Sequence, residues 1–315
     1  MKIVVTGGAG FIGSHLINDL LADGLDVIGL DNFNDYYDPE LKHARVEYFQ
    51  LPIEKVDMTD FDALDTFFNE YKPDIVIHLG ARAGVRDSFG KETLYHRDNI
   101  EATQNLIEVC KMYHVGKVVY ASTSSVYGGT PMGPHGWEEK DLEGKQRNAY
   151  AYTKYVNEIQ WGISGLNNVG LRFFTVYGPW GRPDMAMFLF TDAIINRRPI
   201  KVFNHGNLSR DFTYIDDIVK GVIATLTKGN NQENYQLYNI GNSKPVQLMD
   251  FITEIEKSLS TTAIKEMHEM QAGDVYQTYA DVSALSKHYQ YAPETPVSAG
   301  VRSFVKWYKK YYAVD

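Results

Sequence analysis

The sequence predicts an α/β protein, with a doubly wound parallel sheet in residues 1–175 and a smaller mixed α/β domain in residues 176–315. Three observations carry this reading. Short apolar runs alternate with helical patterns through the first half, a glycine-rich turn joins the first run to the first helix, and the rhythm changes near Gly178-Pro179. Some later segments are free to return to the first domain.

Taken in order, the strands are read at Lys2–Thr6, Asp26–Leu30, Ile53–Val56, Asp74–His78, Lys117–Ala121 and Val169–Phe173. The first helix carries Phe11, Ile12, Leu16, Ile17, Leu20 and Leu21 at helical spacing, and Gly24 is placed to stop it. Phe61–Tyr71 and Leu94–His114 repeat the pattern, with Gly116 as the C-cap of the latter. Beyond Gly178-Pro179-Trp180-Gly181-Arg182-Pro183 come shorter strands and helices at Ala186–Asn196, Asp250–Leu259 and Val297–Tyr311. No internal repeat, low-complexity tract or flexible linker interrupts the chain, so the two parts should pack closely.

The turn after the first strand reads Gly7-Gly8-Ala9-Gly10-Phe11-Ile12-Gly13. Gly7 suits a tight turn, Gly10 lets backbone amides approach a pyrophosphate, and Gly13 lets the helix lie close to the sheet. Glycine-rich turns are common, so the next strand has to supply a ribose contact. Val27-Ile28-Gly29-Leu30 ends in Asp31, eighteen residues beyond Gly13, where a carboxylate can accept both ribose hydroxyls. It would repel a 2′-phosphate, favouring NAD over NADP; the alternative is an N-cap or loop aspartate.

Composition narrows the class. The 315 residues are 44% hydrophobic, ample for a large core. The single cysteine, Cys110, excludes an intrachain disulfide and fits a reducing, cytoplasmic setting. No apolar run approaches the ~18 residues that would span a bilayer, so neither signal peptide nor membrane anchor is expected. A net charge of −9 argues against a nucleic-acid surface, and an anionic ligand would need local arginines. No metal site is expected.

In an open parallel sheet, sites form at the carboxyl ends of the strands. After the fourth strand, His78-Leu79-Gly80-Ala81-Arg82-Ala83-Gly84-Val85-Arg86 offers small residues where a nicotinamide ribose could lie. After the fifth, Ser122-Thr123-Ser124-Ser125 supplies hydroxyls, which alone would make only a hydrogen-bonded turn. Tyr150 and Lys154 share a face of the next helix, four residues apart. A phenol is a useful base only if its pKa falls well below ~10, and a nearby ammonium favours the phenolate. With a hydroxyl of Thr123 or Ser124 to hold the substrate, this is a constellation for alcohol oxidation. A second Tyr-x-x-x-Lys, Tyr113 to Lys117, runs into a strand and cannot converge.

With those residues in view, the chain resembles, over nearly its whole length, the extended short-chain dehydrogenase/reductases, in the branch of NAD-dependent nucleotide-sugar epimerases and dehydratases. The strings Asp31–Asp38, Ala83–Arg86, Arg172–Met185, Val202–Gly206 and Arg210–Asp217 are similar to UDP-glucuronate 4-epimerases. The resemblance implies a Rossmann-type fold, bound NAD, and exchange of C4 stereochemistry in a UDP-sugar through a transient 4-keto sugar. It implies that Asp31 and Asp57 bind adenosine, with Asn32, Met58, Leu79, Gly80, Ala81, Ala83 and Asn99 also against the cofactor beside Gly7, Gly10, Phe11, Ile12, Gly13, Tyr150 and Lys154. Thr123, Tyr150 and Lys154 would act on the sugar, Ser124, Ser125, Thr175 and Phe203 would touch the substrate, and Arg210 with Asp274 would hold UDP. Arg182 and Arg86 are the candidates for recognising the C6 carboxylate or the diphosphate.

Related decarboxylases and dehydratases carry an acidic residue where this chain has Ser124 and Ser125, so reversible oxidation and re-reduction is the better-supported chemistry. The competing readings are a neutral-hexose 4-epimerase, a decarboxylase and a non-catalytic NAD-binding sensor. The sensor would not need Tyr150, Lys154 and Thr123 together. Three departures from the family pattern stand out. Ala272 replaces a proline in Gln271-Ala272-Gly273-Asp274, the segment Val46–Lys55 is shortened, and Trp161-Gly162-Ile163-Ser164-Gly165 is expected to break a helix early. That helix usually helps build the dimer, so pairing through Leu94–His114 and Tyr152–Trp161 is in question.

Overall fold

Seven strands, most of them apolar runs, assemble into one sheet whose faces are covered by the apolar sides of helices. The computed structural model describes residues 1–142, 146–227, 233–271 and 273–314; Ala272 lies outside them. The strands are β1 (Lys2–Thr6), β2 (Asp26–Asp31), β3 (Ile53–Lys55), β4 (Ile75–His78), β5 (Lys117–Thr123), β6 (Asn168–Phe173), β7 (Thr175–Tyr177), β8 (Ile200–Phe203), β9 (Ser209–Tyr214), β10 (Tyr235–Ile240), β11 (Pro245–Gln247) and β12 (Lys265–His268). The helices are α1 (Phe11–Ala22), α2 (Glu40–Phe49), α3 (Phe61–Tyr71), α4 (Glu92–Tyr95), α5 (Ala102–Met112), α6 (Ala149–Ile163), α7 (Ala186–Ile195), α8 (Ile215–Ala224), α9 (Leu248–Leu259), α10 (Ser283–Tyr289) and α11 (Val297–Tyr311).

The large sheet has the order β10-β6-β5-β4-β1-β2-β3, with every pairing parallel. Alternation along β1 shows why both faces need helices. Ile3 and Val5 join the core with Leu16 and Leu20 of α1 and Ile218 and Val222 of α8. Val4 faces the opposite layer with Leu64 and Phe68 of α3, Leu106 of α5 and Trp161 of α6. A smaller core lies among α7, α9 and α11, where Phe212 and Phe251 stack at 3.9 Å. Beside it stand a mixed sheet ordered β11-β9-β7 and the parallel pair β12-β8.

Some local expectations are corrected. β10, which sequence patterning did not single out, extends the large sheet by pairing along the whole of β6. The helix expected at Leu94–His114 is instead α4, a π-helical stretch over His96–Glu101 and α5. Asn99 lies in that stretch, and π turns of this kind commonly reposition a side chain. Gly116 is not the cap. His114 adopts the left-handed conformation (φ 54), and Gly116 N–H is already bound to Asp74 O at 2.9 Å. As expected, α6 ends within Trp161–Gly165: it stops after Ile163, where Ser164 Oγ donates to Trp161 O and Gly165 takes φ 77. Among the described residues no helix is long and apolar enough to cross a membrane.

Between β1 and β4 the strand order reverses, and there Gly7 (φ 70) turns the chain into α1. A Cβ at Gly13 would stand 2.2 Å from Gly7 O, a backbone atom that cannot yield. Gly13→Ala should therefore destabilise the fold by about 1–3 kcal/mol and weaken cofactor retention; urea denaturation and the nucleotide released on heating would measure both.

Candidate active site

One cavity of about 1240 Å³ opens along the carboxyl ends of the sheet strands, large enough for two ligands of nucleotide size. At one end it is walled by Gly7, Gly10, Phe11, Ile12 and Gly13, by Asp31 and Asn32 after β2, by Asp57 and Met58 after β3, and by Leu79, Gly80, Ala81 and Ala83 after β4. Crowding leaves no room for side chains here. A Cβ at Gly7 would lie 2.8 Å from Gly80 N, and one at Gly80 2.7 Å from the Met58 methyl.

The Asp31 carboxylate accepts hydrogen bonds from Ala9 N at 3.2 Å and Phe33 N at 2.9 Å and pairs with Lys42 Nζ at 3.2 Å. The loop role is thus realised, and since each oxygen has two lone pairs it leaves acceptor capacity on Oδ2. Burial would raise Asp57, but hydrogen bonds from Thr59 and Asn32 hold its carboxyl below the ordinary value. Asn99 does not line the cavity. Its Oδ1 accepts from Arg82 N at 2.7 Å, and its Nδ2 donates to Arg82 O and Thr153 Oγ1, so it braces the β4 loop against α6.

In the middle of the cavity Thr123, Ser124 and Ser125 face Tyr150 and Lys154, with Thr175 and Arg182 alongside. Asn148 caps α6 by accepting from Ala151 N at 2.8 Å, which sets Tyr150 and Lys154 in its first turns. Burial pushes the Tyr150 phenol up, opposed by the Arg182 charge and a hydrogen bond with Thr123. Arg182 thus adds to the positive charge that Lys154 was expected to supply, and Asp184 beside it pushes the phenol the other way. Lys154 is itself 2% exposed, and desolvation lowers it to about 8 against the opposing pull of Glu158.

At the far end Asp274 pairs with Arg210 at 3.1 Å and with Arg86 at 3.9 Å. The Arg86 guanidinium also lies 5.4 Å over the Phe203 ring. Arg210, Asp274, Arg86 and Phe203 are thus brought to one place, while Arg182, the other candidate for the diphosphate, stands apart beside Tyr150. Two arginines facing one carboxylate leave a positive surplus suited to phosphate. Among the described residues no cluster of His, Cys, Asp and Glu could hold a metal ion.

Four residues went unread in the sequence. Lys42 and Arg45 lie on the buried face of α2; Arg45 donates to Trp180 O and Ala9 O and receives no solvent. Tyr36 and Asp184 meet across the cavity at 3.0 Å. Helix α2 has no apolar stripe, so its charges read as surface, and nothing local joins Tyr36 to a residue almost half the chain away.

Residues 3–241 match the NAD dependent epimerase/dehydratase family. The chain belongs to that family. It is 41% identical to protein CapI of Staphylococcus aureus over 99% of both chains. It is also 41% identical to UDP-glucuronate 4-epimerase 4 of Arabidopsis thaliana, over 100% of this chain and 77% of that one. Among family structures, UDP-glucuronic acid 4-epimerase from Bacillus cereus, in complex with UDP-glucuronic acid and NAD, superimposes with a TM-score of 0.90 at 34% identity, covering 99% of this chain and 100% of that one.

The buried ammonium has a consequence for stability. Because Lys154 is lowered to about 8 in the folded chain from 10.5, the unfolded chain binds more protons between those values, and folding stability rises with pH across that window. Below it, holding the charge costs on the order of 3 kcal/mol. Lys154→Met should thus raise the urea midpoint of cofactor-free protein near neutral pH, with the gain shrinking above about pH 8; a less stable variant at neutral pH would contradict this.

Proposed function

We propose that this chain exchanges the C4 epimers of a UDP-sugar, interconverting UDP-glucuronate and UDP-galacturonate. The observation that carries the proposal is the placement of Tyr150 between the Thr123 hydroxyl and Arg182, in a cavity continuous with both the glycine cradle and the Arg210–Asp274 end. The likeness to UDP-glucuronate 4-epimerases supports it.

The residues of the cradle fit NAD: backbone amides at the start of α1 for the pyrophosphate, the carboxylate of Asp31 for the adenosine ribose, and space kept open by Gly7 and Gly80. When bound, NAD would supply reversible hydride transfer at C4, so no redox equivalent would enter or leave. Tyr150 takes the C4 hydroxyl proton and gives it back, Thr123 orients that hydroxyl, and Lys154 supplies the nearby ammonium. Arg210, Arg86 and Phe203 hold UDP beside Asp274. Arg182, next to Tyr150, takes the C6 carboxylate, with Ser124, Ser125 and Thr175 completing the sugar's surroundings. In this reading residues 1–175 with β10 serve the cofactor, and the remainder of 176–315 serves UDP.

A 4-keto uronate is a β-keto acid and loses CO₂ readily. The residues at the positions of an auxiliary acid are Ser124 and Ser125, which cannot donate a proton at C5 as a carboxylic acid would. The wild-type product should therefore keep its C6 carboxylate. Incubation with UDP-glucuronate, UDP-glucose and UDP-N-acetylglucosamine separately, resolved by NMR, tests this, and a pentose product would overturn the reading. Tyr150→Phe should lower turnover by roughly 10²–10⁴ while leaving UDP-sugar affinity within a few-fold, since only the ionisable oxygen is lost.

We infer a homodimer through α5 and α6. Tyr152, Ile159 and Ile163 form an exposed apolar stripe on α6, and Met112 is exposed at the end of α5. Light scattering should give twice the chain mass of 35.8 kDa, and Ile163→Asp should shift it toward one.

A further inference from the structure

We propose that Asp184 and Tyr36 are a positioning pair that fixes the edge Arg182 presents to a substrate carboxylate. The proposal rests on the reading of the substrate as a uronic acid. Asp184 takes both donors on one edge of the guanidinium, Nε at 3.0 Å and Nη2 at 2.5 Å. Tyr36 then donates its hydroxyl to Asp184 Oδ2 at 3.0 Å, and its oxygen stands 3.4 Å from Arg182 Nη2. The Tyr36 ring lies 5.5 Å from the same guanidinium and 5.9 Å from that of Arg82. Behind it, Gly84 (φ 100) makes room, since a Cβ there would stand 2.1 Å from the Tyr36 oxygen. Three loops, from β2, from β4 and from the Gly178–Met185 segment, therefore converge on one tyrosine.

With Nε and Nη2 committed, Nη1 makes no hydrogen bond to any described residue and is the edge left for a ligand. A lone arginine has several rotatable bonds, and holding it in advance removes an ordering cost from substrate binding. Asp184 also cancels the charge of Arg182. The site thus recognises a carboxylate by donor geometry more than by surplus positive charge.

Orientation matters because of how a 4-keto uronate decomposes. As the C5–C6 bond breaks, its electron pair moves into the C4 carbonyl, CO₂ departs, and the resulting enolate takes a proton at C5. That requires the C5–C6 bond to align with the carbonyl π-system. A carboxylate gripped by an immobile guanidinium edge can be kept out of that alignment; one gripped by a swinging arginine cannot.

Charge and geometry make opposite forecasts for Asp184→Asn. If the residue mattered only as a negative charge near the ligand, removing it would tighten UDP-glucuronate. As a positioning residue, its loss should lower kcat by the order of 100-fold with the KM for UDP-glucuronate raised rather than lowered, leave the Kd of UDP-glucose within about two-fold, and add a UDP-pentose to the products seen by mass spectrometry. Tyr36→Phe keeps the ring and loses only the hydroxyl, so it should shift the same quantities in the same direction by less. Should Asn at 184 prevent folding, the Tyr36→Phe variant decides alone. Unchanged kcat and product purity would overturn the proposal, as would a fall in UDP-glucose affinity and denaturation midpoint matching the loss of kcat. If the unsubstituted protein fails to turn over UDP-glucuronate, the substrate reading falls first, and the proposal with it.

Discussion

The arrangement of the site depends on one buried ion pair, Glu158 with Arg172. Arg172 donates from Nε and Nη2 to the two carboxylate oxygens, both at 2.9 Å, and the side chains are only 4% and 2% exposed. Burying two such charges is costly, and the cost is offset only when the remaining donors and acceptors are satisfied. Here Ser122 donates to Glu158 at 2.5 Å, while Arg172 Nη1 reaches Tyr127 and the Glu139 carbonyl. Tyr127 continues to Asn239 on β10. The network thereby ties β5, β6, α6 and β10 together at one depth of the sheet. Glu158 stands one helical turn beyond Lys154, so the same carboxylate that anchors α6 opposes the desolvation of the lysine. Removing either partner would leave an unpaired charge beneath the very helix that carries Tyr150.

A related economy runs through the cavity. The chain has a net charge of −9, yet its proposed ligands are anions. Its cationic groups are escorted: Arg182 by Asp184, Arg82 by Asp98, Arg210 by Asp274, Lys42 by Asp31. An arriving carboxylate or phosphate exchanges with or supplements an existing carboxylate. For these four the cost of leaving a cation unpaired is avoided, with Lys154 the exception, and the guanidinium orientations are set before any ligand arrives.

How much of this was legible depends on the range of the interaction. The cradle could be read because every part of it, Ile3 to Val5, Gly7, Gly10 and Gly13, lies in one short segment whose backbone conformation is dictated locally. The Phe61–Tyr71 and Val297–Tyr311 helices matched residue for residue because their apolar periodicity is strong. The parallel sheet followed from alternation alone. By contrast β10 sits beyond a change of rhythm, and its place in the sheet is set by pairing with β6. Asn99 was misplaced for a similar reason: its side chain is spent on bracing Arg82, a partner 17 residues earlier that helical periodicity cannot reveal. Tyr36 with Asp184 spans 148 residues. Polar contacts of that separation have no signature in a single chain.

The proposed chemistry imposes one further constraint, that a sugar present either face to the same point while its nucleotide stays fixed. The end proposed for UDP is built from Arg210 and Arg86, whose planar guanidinium groups fix direction, together with the Phe203 ring. The middle is built from Thr123, Ser124 and Ser125, whose hydroxyl hydrogens rotate and whose oxygens can either donate or accept. Such groups serve both epimers with little preference, since neither configuration leaves a donor or acceptor stranded. Arg182 is the exception in that middle region, a directional donor among rotors. On the proposed reading, its immobilisation by Asp184 and Tyr36 would let the carboxylate act as a pivot for one end of the ring while the rest of the ring is held loosely enough to turn.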